Sequence, residues 1–271
     1  MFPFWFRRRA EIPTLLHFTH AKAGSTWIDG ILRHLFGAKV VPRFGAELFP
    51  EKPGAPASPP PARLSYEEIF RRQPFRPGHV YPGLFLTRQE FELRPEFADS
   101  RRFVVIRDLR DTITSHYFSL KQTHALDVQG RVKTARDFLQ AATKEEGFIY
   151  LFDRDLARLV DIQRSWLNSN EIVLKYEALI LNDAAEFDAL FRQKLGLSVP
   201  ARHVRSAVAA CRFENVFGRK LGQLDEKAHG RQGLPGDWKN HFTPHVRRVF
   251  RERTGDLLIA AGYEKDDAWI E

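Results

Sequence analysis

Leu15-Leu16-His17-Phe18-Thr19-His20-Ala21-Lys22-Ala23-Gly24-Ser25-Thr26-Trp27 is the stretch on which the reading of this chain turns. Its first five residues make a short, mostly apolar run of strand length. Small residues then form a turn, and from Trp27 the apolar positions Ile28, Ile31, Leu32 and Leu35 recur along one helical face. Gly37 is the predicted helix stop. A strand, a loop of small residues and a helix start gather backbone amides at one point, and such a cradle favours an anion. Lys22 adds a full positive charge, Gly24 leaves room for a ligand to approach, and Ser25 and Thr26 add hydroxyl donors. The usual nucleotide loop has Gly, four residues and then Gly-Lys-Ser/Thr; here the lysine precedes the glycine, which speaks against a kinase or NTPase.

Working outward, Arg102-Phe-Val-Val-Ile106 is the clearest further strand, and Arg107 stands at its carboxyl end, where open α/β sheets bind ligands. A helix is predicted from Asp111, with Ile113, Tyr117 and Leu120 on one side and Ser115 about two turns in. A guanidinium fork and a hydroxyl converging on one place suit a phosphate, although Arg107 could equally pair with Asp108 or Asp111. His79-Val-Tyr81 and Leu84-Phe-Leu86 are read as flanking a Pro82-Gly83 turn. Residues 171–175 read as a strand, 153–168 and 184–195 as helices. Strands alternating with helices predict an α/β protein on a mostly parallel sheet. Near the end, Arg231-Gln-Gly-Leu-Pro-Gly-Asp-Trp-Lys-Asn240 places Arg231, the Gly233 amide and Lys239 on one loop as potential phosphate ligands.

Composition narrows the partners less than the motifs do. The 271 residues carry 42 Lys and Arg against 34 Asp and Glu, a net charge of +8, with 43% hydrophobic residues. A chain this long can bury a sizeable core, so a wholly disordered chain is excluded. The positive excess suits an anionic partner but is spread along the chain, and no nucleic-acid-reading motif appears. One cysteine, Cys211, excludes an intrachain disulfide and a cysteine-built zinc site. No apolar run reaches the ~18–20 residues of a spanning helix. The start, Phe2-Pro-Phe-Trp-Phe6 before Arg7-Arg-Arg9, lacks the order of a signal peptide. A soluble, cytoplasmic protein is the expectation. Six prolines within residues 50–62 predict a loop or a linker.

In order and spacing these segments resemble the sulfotransferases that use 3′-phosphoadenosine 5′-phosphosulfate (PAPS). The family's Tyr-Pro-Lys-Ser-Gly-Thr-Thr-Trp is similar to His20-Ala-Lys-Ala-Gly-Ser-Thr-Trp27. Its arginine with a serine eight residues on is similar to Arg107 and Ser115, and its Lys-Tyr-Glu-Asp-Leu to Lys175-Tyr-Glu-Ala-Leu179. Its Arg-Lys-Gly followed by Gly-Asp-Trp-Lys is similar to Arg231-Gln-Gly233 and Gly236-Asp-Trp-Lys239. The resemblance implies a single three-layer α/β domain over residues 1–271, related to P-loop nucleotide kinases, with residues 50–63 as a proline-rich insertion. It implies metal-free transfer of a sulfuryl group from PAPS to a hydroxyl or amine of a small acceptor. Lys22, Ala23, Gly24, Ser25 and Thr26 would hold the 5′-phosphosulfate, with Lys22 opposing the charge on the leaving oxygen. Arg107, Ser115, Arg231, Gln232 and Gly233 would form the 3′-phosphate site. Trp27 and Phe213 would sandwich the adenine beside Tyr176.

The chain departs from that pattern at the base. The family's histidine in a Lys-Thr-His-Leu-Pro context has no counterpart, and His79, His20 and Glu90 are the alternatives, with His79 grouped with Lys22 and Ser115 as catalytic candidates. Gln232 replaces a lysine, with Arg219 and Lys220 nearby. Dimerisation through the family's short segment is doubtful, because Pro244 and Arg248 stand where valine and glutamate are expected. Two other readings remain open: a non-catalytic binder of sulfated or phosphorylated polymers, and a nucleotide kinase on the same scaffold.

Overall fold

The structure is a computed structural model, described over residues 12–41, 75–127, 130–225 and 231–271. The proline-rich stretch and the aromatic start lie outside the described residues. Four parallel strands form the sheet: β1 (Leu15–Thr19), β2 (Val80–Leu84), β3 (Arg101–Ile106) and β4 (Val173–Lys175), in the order β2-β1-β3-β4. Both faces are covered, as a parallel sheet requires. Side chains alternate across it. From β1 and β3, Leu15, Phe103 and Val105 pack with helix α1 (Ser25–Phe36), the helix Ala201–Ala210, and Phe187 and Phe191. Leu16, Phe18, Val104 and Ile106 pack on the other face with Trp166, Phe91 and Phe97. A third apolar cluster joins the helix Leu109–Phe118 to Phe148, Phe152, Phe242 and Phe250. The result is the α/β arrangement on a parallel sheet anticipated from the alternation of elements, in the three P-loop-like layers that the resemblance implied.

One expectation fails in an informative way. Pro82-Gly83 is no turn: β2 runs through both residues. Its pairing with β1 steps from Leu16↔Tyr81 to Phe18↔Leu84, so one strand carries an extra residue there. A bulge of this kind tolerates the missing proline N–H, and Gly83 takes the positive φ (69°) while donating its amide to His17 Nδ1 at 3.2 Å. The step carries the chain on to Phe85, beyond the carboxyl end of β2.

Candidate functional site

The carboxyl ends of the strands open on a cavity of about 820 Å³. The loop after β1 forms one wall. Lys22 is the one non-glycine residue with a left-handed backbone (φ 65°) among the described residues, and Gly24 follows at φ 80° as the cap of α1. At Gly24 an added Cβ would stand 2.9 Å from the Tyr176 ring, so conformation and packing both demand glycine. Lys22, Gly24, Ser25, Thr26 and Trp27 border the cavity, while Ala23 is buried behind the loop. Burial, aided by the charge of Arg107, lowers the Lys22 ammonium to a pKa of about 8.

Arg107 is buried, donates through Nη1 to the Lys22 carbonyl at 2.9 Å, and lies 4.6 Å above the Tyr176 ring centre. Its buried Nε has no partner among the described residues. Such a donor is costly unless an acceptor reaches it, and an anion in the cavity is the acceptor that Arg107 suits. Ser115 borders the same space two turns along the helix that Asp108 caps by accepting from the Arg110 amide at 2.9 Å.

The opposite wall comes from residues 213–221 and 231–237. Phe213, Arg231, Gln232 and Gly233 border the cavity. Gly233 (φ 77°) presses so close to Phe213 and Leu221 that a Cβ would lie 2.6 Å from Leu221, and its carbonyl accepts from the Tyr176 hydroxyl at 3.2 Å. Arg231 pairs with Asp237 and lies 4.1 Å over the Phe118 ring. Arg219 binds the carbonyls of Gln223 and Arg231. Lys239 is exposed and does not border the cavity, so its work is at the surface. Trp27, edge-on to Tyr176 with centroids 6.3 Å apart, supplies a further aromatic side.

The proposed bases fare differently. His79 lies at the amino end of β2, level with Leu15, and so at the far edge of the sheet from Lys22; its Nδ1 meets the Pro77 carbonyl at 3.0 Å. The structure does not bring it to the cavity. His20 is fully buried, with Nδ1 donating to the Ala21 carbonyl at 3.0 Å and Nε2 accepting the Arg107 amide at 3.1 Å. Burial lowers its pKa to about 4 and keeps it neutral, a clamp between the two strand ends. Glu90 caps its own helix through Thr87 and accepts from Arg158 at 2.8 Å. Its burial alone would raise its pKa, but the Arg158 and Thr87 contacts win and hold the carboxylate low.

Sequence reasoning missed several residues. Asp111 borders the cavity and accepts the amides of Gly236 (2.6 Å) and Trp238 (3.0 Å), tying the 231–239 segment to the arginine helix. Glu177 accepts the Asp108 amide at 3.0 Å and the Tyr263 hydroxyl at 3.1 Å. Burial raises the pKa of both carboxyls. Arg110 bonds Asp108 and Glu264, each at 2.6 Å, between the rings of Trp238 and Trp269. Phe85 and His124 also line the cavity. Asp111 carried a signal as the acidic residue near the helix start, and Glu177 stood inside the Lys175–Leu179 motif; the others depend on tertiary placement. Among the described residues no helix is long and apolar enough to cross a membrane.

The model of the sulfotransferase domain family matches residues 93–262. No curated protein sequence matches the chain. Among solved structures, mouse sulfotransferase SULT7A1 complexed with 3′-phosphoadenosine 5′-phosphate (PAP) is 16% identical at a TM-score of 0.62, over 93% of this chain and 88% of that one. Retinol dehydratase with androsterone and the inactive cofactor PAP is 15% identical at a TM-score of 0.51, over 90% and 80%. The same enzyme with retinol and PAP gives 15% and 0.52, over 91% and 82%. At these identities the likeness speaks for the fold.

Proposed function

Because the chain belongs to the sulfotransferase family, we propose that its donor is PAPS and its acceptor a small molecule bearing a hydroxyl or amine. Sulfuryl transfer is the activity of the family; the donor and acceptor are proposed from the resemblance and supported by the lining of the site. The observation that carries the reading is convergence: residues from four separate segments border one cavity, including Lys22, Arg107 with Ser115, Tyr176, and Arg231 with Gly233. Two cationic stations suit a ligand with two anionic groups, and Trp27 and Phe213 offer flat surfaces to a base. Retinol dehydratase is crystallised with retinol and with androsterone beside PAP. Phe85 and Ala21 give the cavity apolar lining against which a hydroxylated acceptor would pack.

In this reading Arg107, Ser115, Arg231, Gln232 and Gly233 hold the 3′-phosphate, and the loop from Lys22 to Thr26 holds the 5′-phosphosulfate. As the sulfuryl group leaves, charge grows on the bridging oxygen, and a cation fixed beside it stabilises that charge more than the ground state. In this reading Lys22 is that cation. The test is release of PAP from PAPS by the wild type and by Lys22→Ala. Removing one such stabiliser lowers the rate by about 100-fold or more. Equal rates in the two proteins would overturn the assignment.

A further inference from the structure

Transfer to a hydroxyl leaves a proton to be placed. The acceptor oxygen bonds to sulfur, the bond from sulfur to the bridging oxygen breaks with its electron pair going to the phosphate of PAP, and the acceptor's O–H proton passes to a base. On the donor reading above, we propose that His124 is that base and that Ser119 positions it.

The other titratable groups of the cavity hold structural ties that a proton acceptor would have to give up. Asp111 accepts two backbone amides, and Asp183 grips Arg212 with both oxygens at 2.7 and 2.8 Å. Asp237 is paired with Arg231 and His241. Glu214 receives the Leu221 amide at 3.3 Å on the helix of Phe213, the adenine side. The Tyr176 hydroxyl donates to Gly233, and burial raises the pKa of both Tyr176 and Cys211. Lys22 serves as the cation. At the carboxyl end of β2 the cavity meets Phe85, which has no proton chemistry.

His124 borders the cavity at the far end of the arginine helix, where Leu109–Phe118 passes into a π-helical turn, Ser119–Thr123. π-turns of this kind recur at functional sites. Its backbone is held on both sides: the amide donates to the Ser119 carbonyl at 2.6 Å, and the carbonyl accepts from the Arg136 guanidinium, which also reaches the Leu120 carbonyl at 3.1 Å. Its Nδ1 lies 3.3 Å from Ser119 Oγ. With Nδ1–H donated to that hydroxyl, the lone pair is on Nε2, the nitrogen that takes the proton. Around it stand His116, edge-on at 6.2 Å between centroids and itself bonded to Asp155 at 3.1 Å, with Arg136 on the carbonyl and Lys121 turned to the Tyr117 hydroxyl at 3.2 Å.

The experiment compares wild type, His124→Gln and Ser119→Ala in three readouts. These are PAP affinity by calorimetry, PAP release from PAPS with water as acceptor, and transfer to 2-naphthol and to 4-nitrophenol. His124→Gln is expected to keep PAP affinity within about twofold while PAP release falls by about 100-fold, the scale of general-base catalysis. The loss shrinks for 4-nitrophenol, which ionises by itself near neutral pH, and the acid limb of the wild-type pH–rate profile disappears. Ser119→Ala is expected to lose less, with PAP affinity unchanged. Intact PAP binding with unchanged PAP release in His124→Gln, or an equal loss across both phenols, overturns the base assignment alone. A wild-type protein that does not bind PAP overturns the donor reading, and this inference with it.

Discussion

The two walls of the cavity are built by opposite means. The loop from His20 to Trp27 is local: one short strand, three small residues and the start of α1 shape it, and its ties reach the neighbouring strand end through His20 and Arg107. The segment from Arg231 to Lys239 has no strand beneath it and is held by Asp111 on the helix after β3, by the Tyr176 hydroxyl, and by residues 219–225, whose Arg219 guanidinium and Gly222 and Asp225 amides donate to the Arg231 and Gln232 carbonyls. A chain can specify the first with a dozen adjacent residues. The second exists only after the sheet has formed, and the buried Asp111 carboxylate is its tie to the helix after β3.

Substitutions at the ties separate these two designs. The largest effect on binding is expected for Arg107→Ala, which removes both the tie to the Lys22 carbonyl and the donor with the partnerless Nε. Hydrogen bonds to charged groups contribute about 1.5–3 kcal/mol each, so PAP affinity should fall by about 100-fold in a calorimetric titration. A loss under threefold would show that the loop stands without its arginine.

The local wall also carries a pH signature. Lys22, lowered to about 8, is a cation below that pH and progressively neutral above it. An anion binds the cation, so above pH 8 binding must first take up a proton. PAP affinity is therefore expected to be flat between about pH 7 and 7.5, above the second ionisation of its phosphates, and to weaken by roughly tenfold per unit above pH 8. Lys22→Ala should flatten that limb; a limb that persists in the variant assigns the titration to another group.

For the remote wall, Asp111→Asn keeps one oxygen acceptor but turns an N–H towards a backbone N–H. About tenfold weaker PAP binding is expected, within the ~1–3 kcal/mol of an unsatisfied buried group. Faster amide exchange should be confined to the 231–239 segment. A gain in affinity would instead mean that the carboxylate acts as a competing anion and not as a clamp. The smallest effect belongs to Lys239→Ala, exposed and off the cavity, where PAP affinity should stay within twofold.

How much was legible follows the same division. β1, the glycine loop, α1 and β3 with Arg107 could be read because their signals are local: apolar period, small residues, a charged strand end. The helix stop at Gly37 is where it was expected. The 82–83 turn was misread because a bulge and a turn share the same Pro-Gly chemistry, and only the pairing with β1 distinguishes them. The base proposed here, His124, lay outside the sequence reading for a related reason. His79 follows strand order, whereas proximity to Lys22 depends on which end of the strand carries the histidine. His124 had no motif around it, since its place is set by a π-turn and by Arg136 from another helix.

The central claim is that the two walls enclose a donor site selective for the 3′-phosphorylated nucleotide. Calorimetric titration of the wild-type protein with PAP, beside ATP as control, tests it most directly. Micromolar binding of PAP with no heat from ATP is the predicted result. A protein that melts cooperatively and binds ATP, or neither nucleotide, would contradict the account.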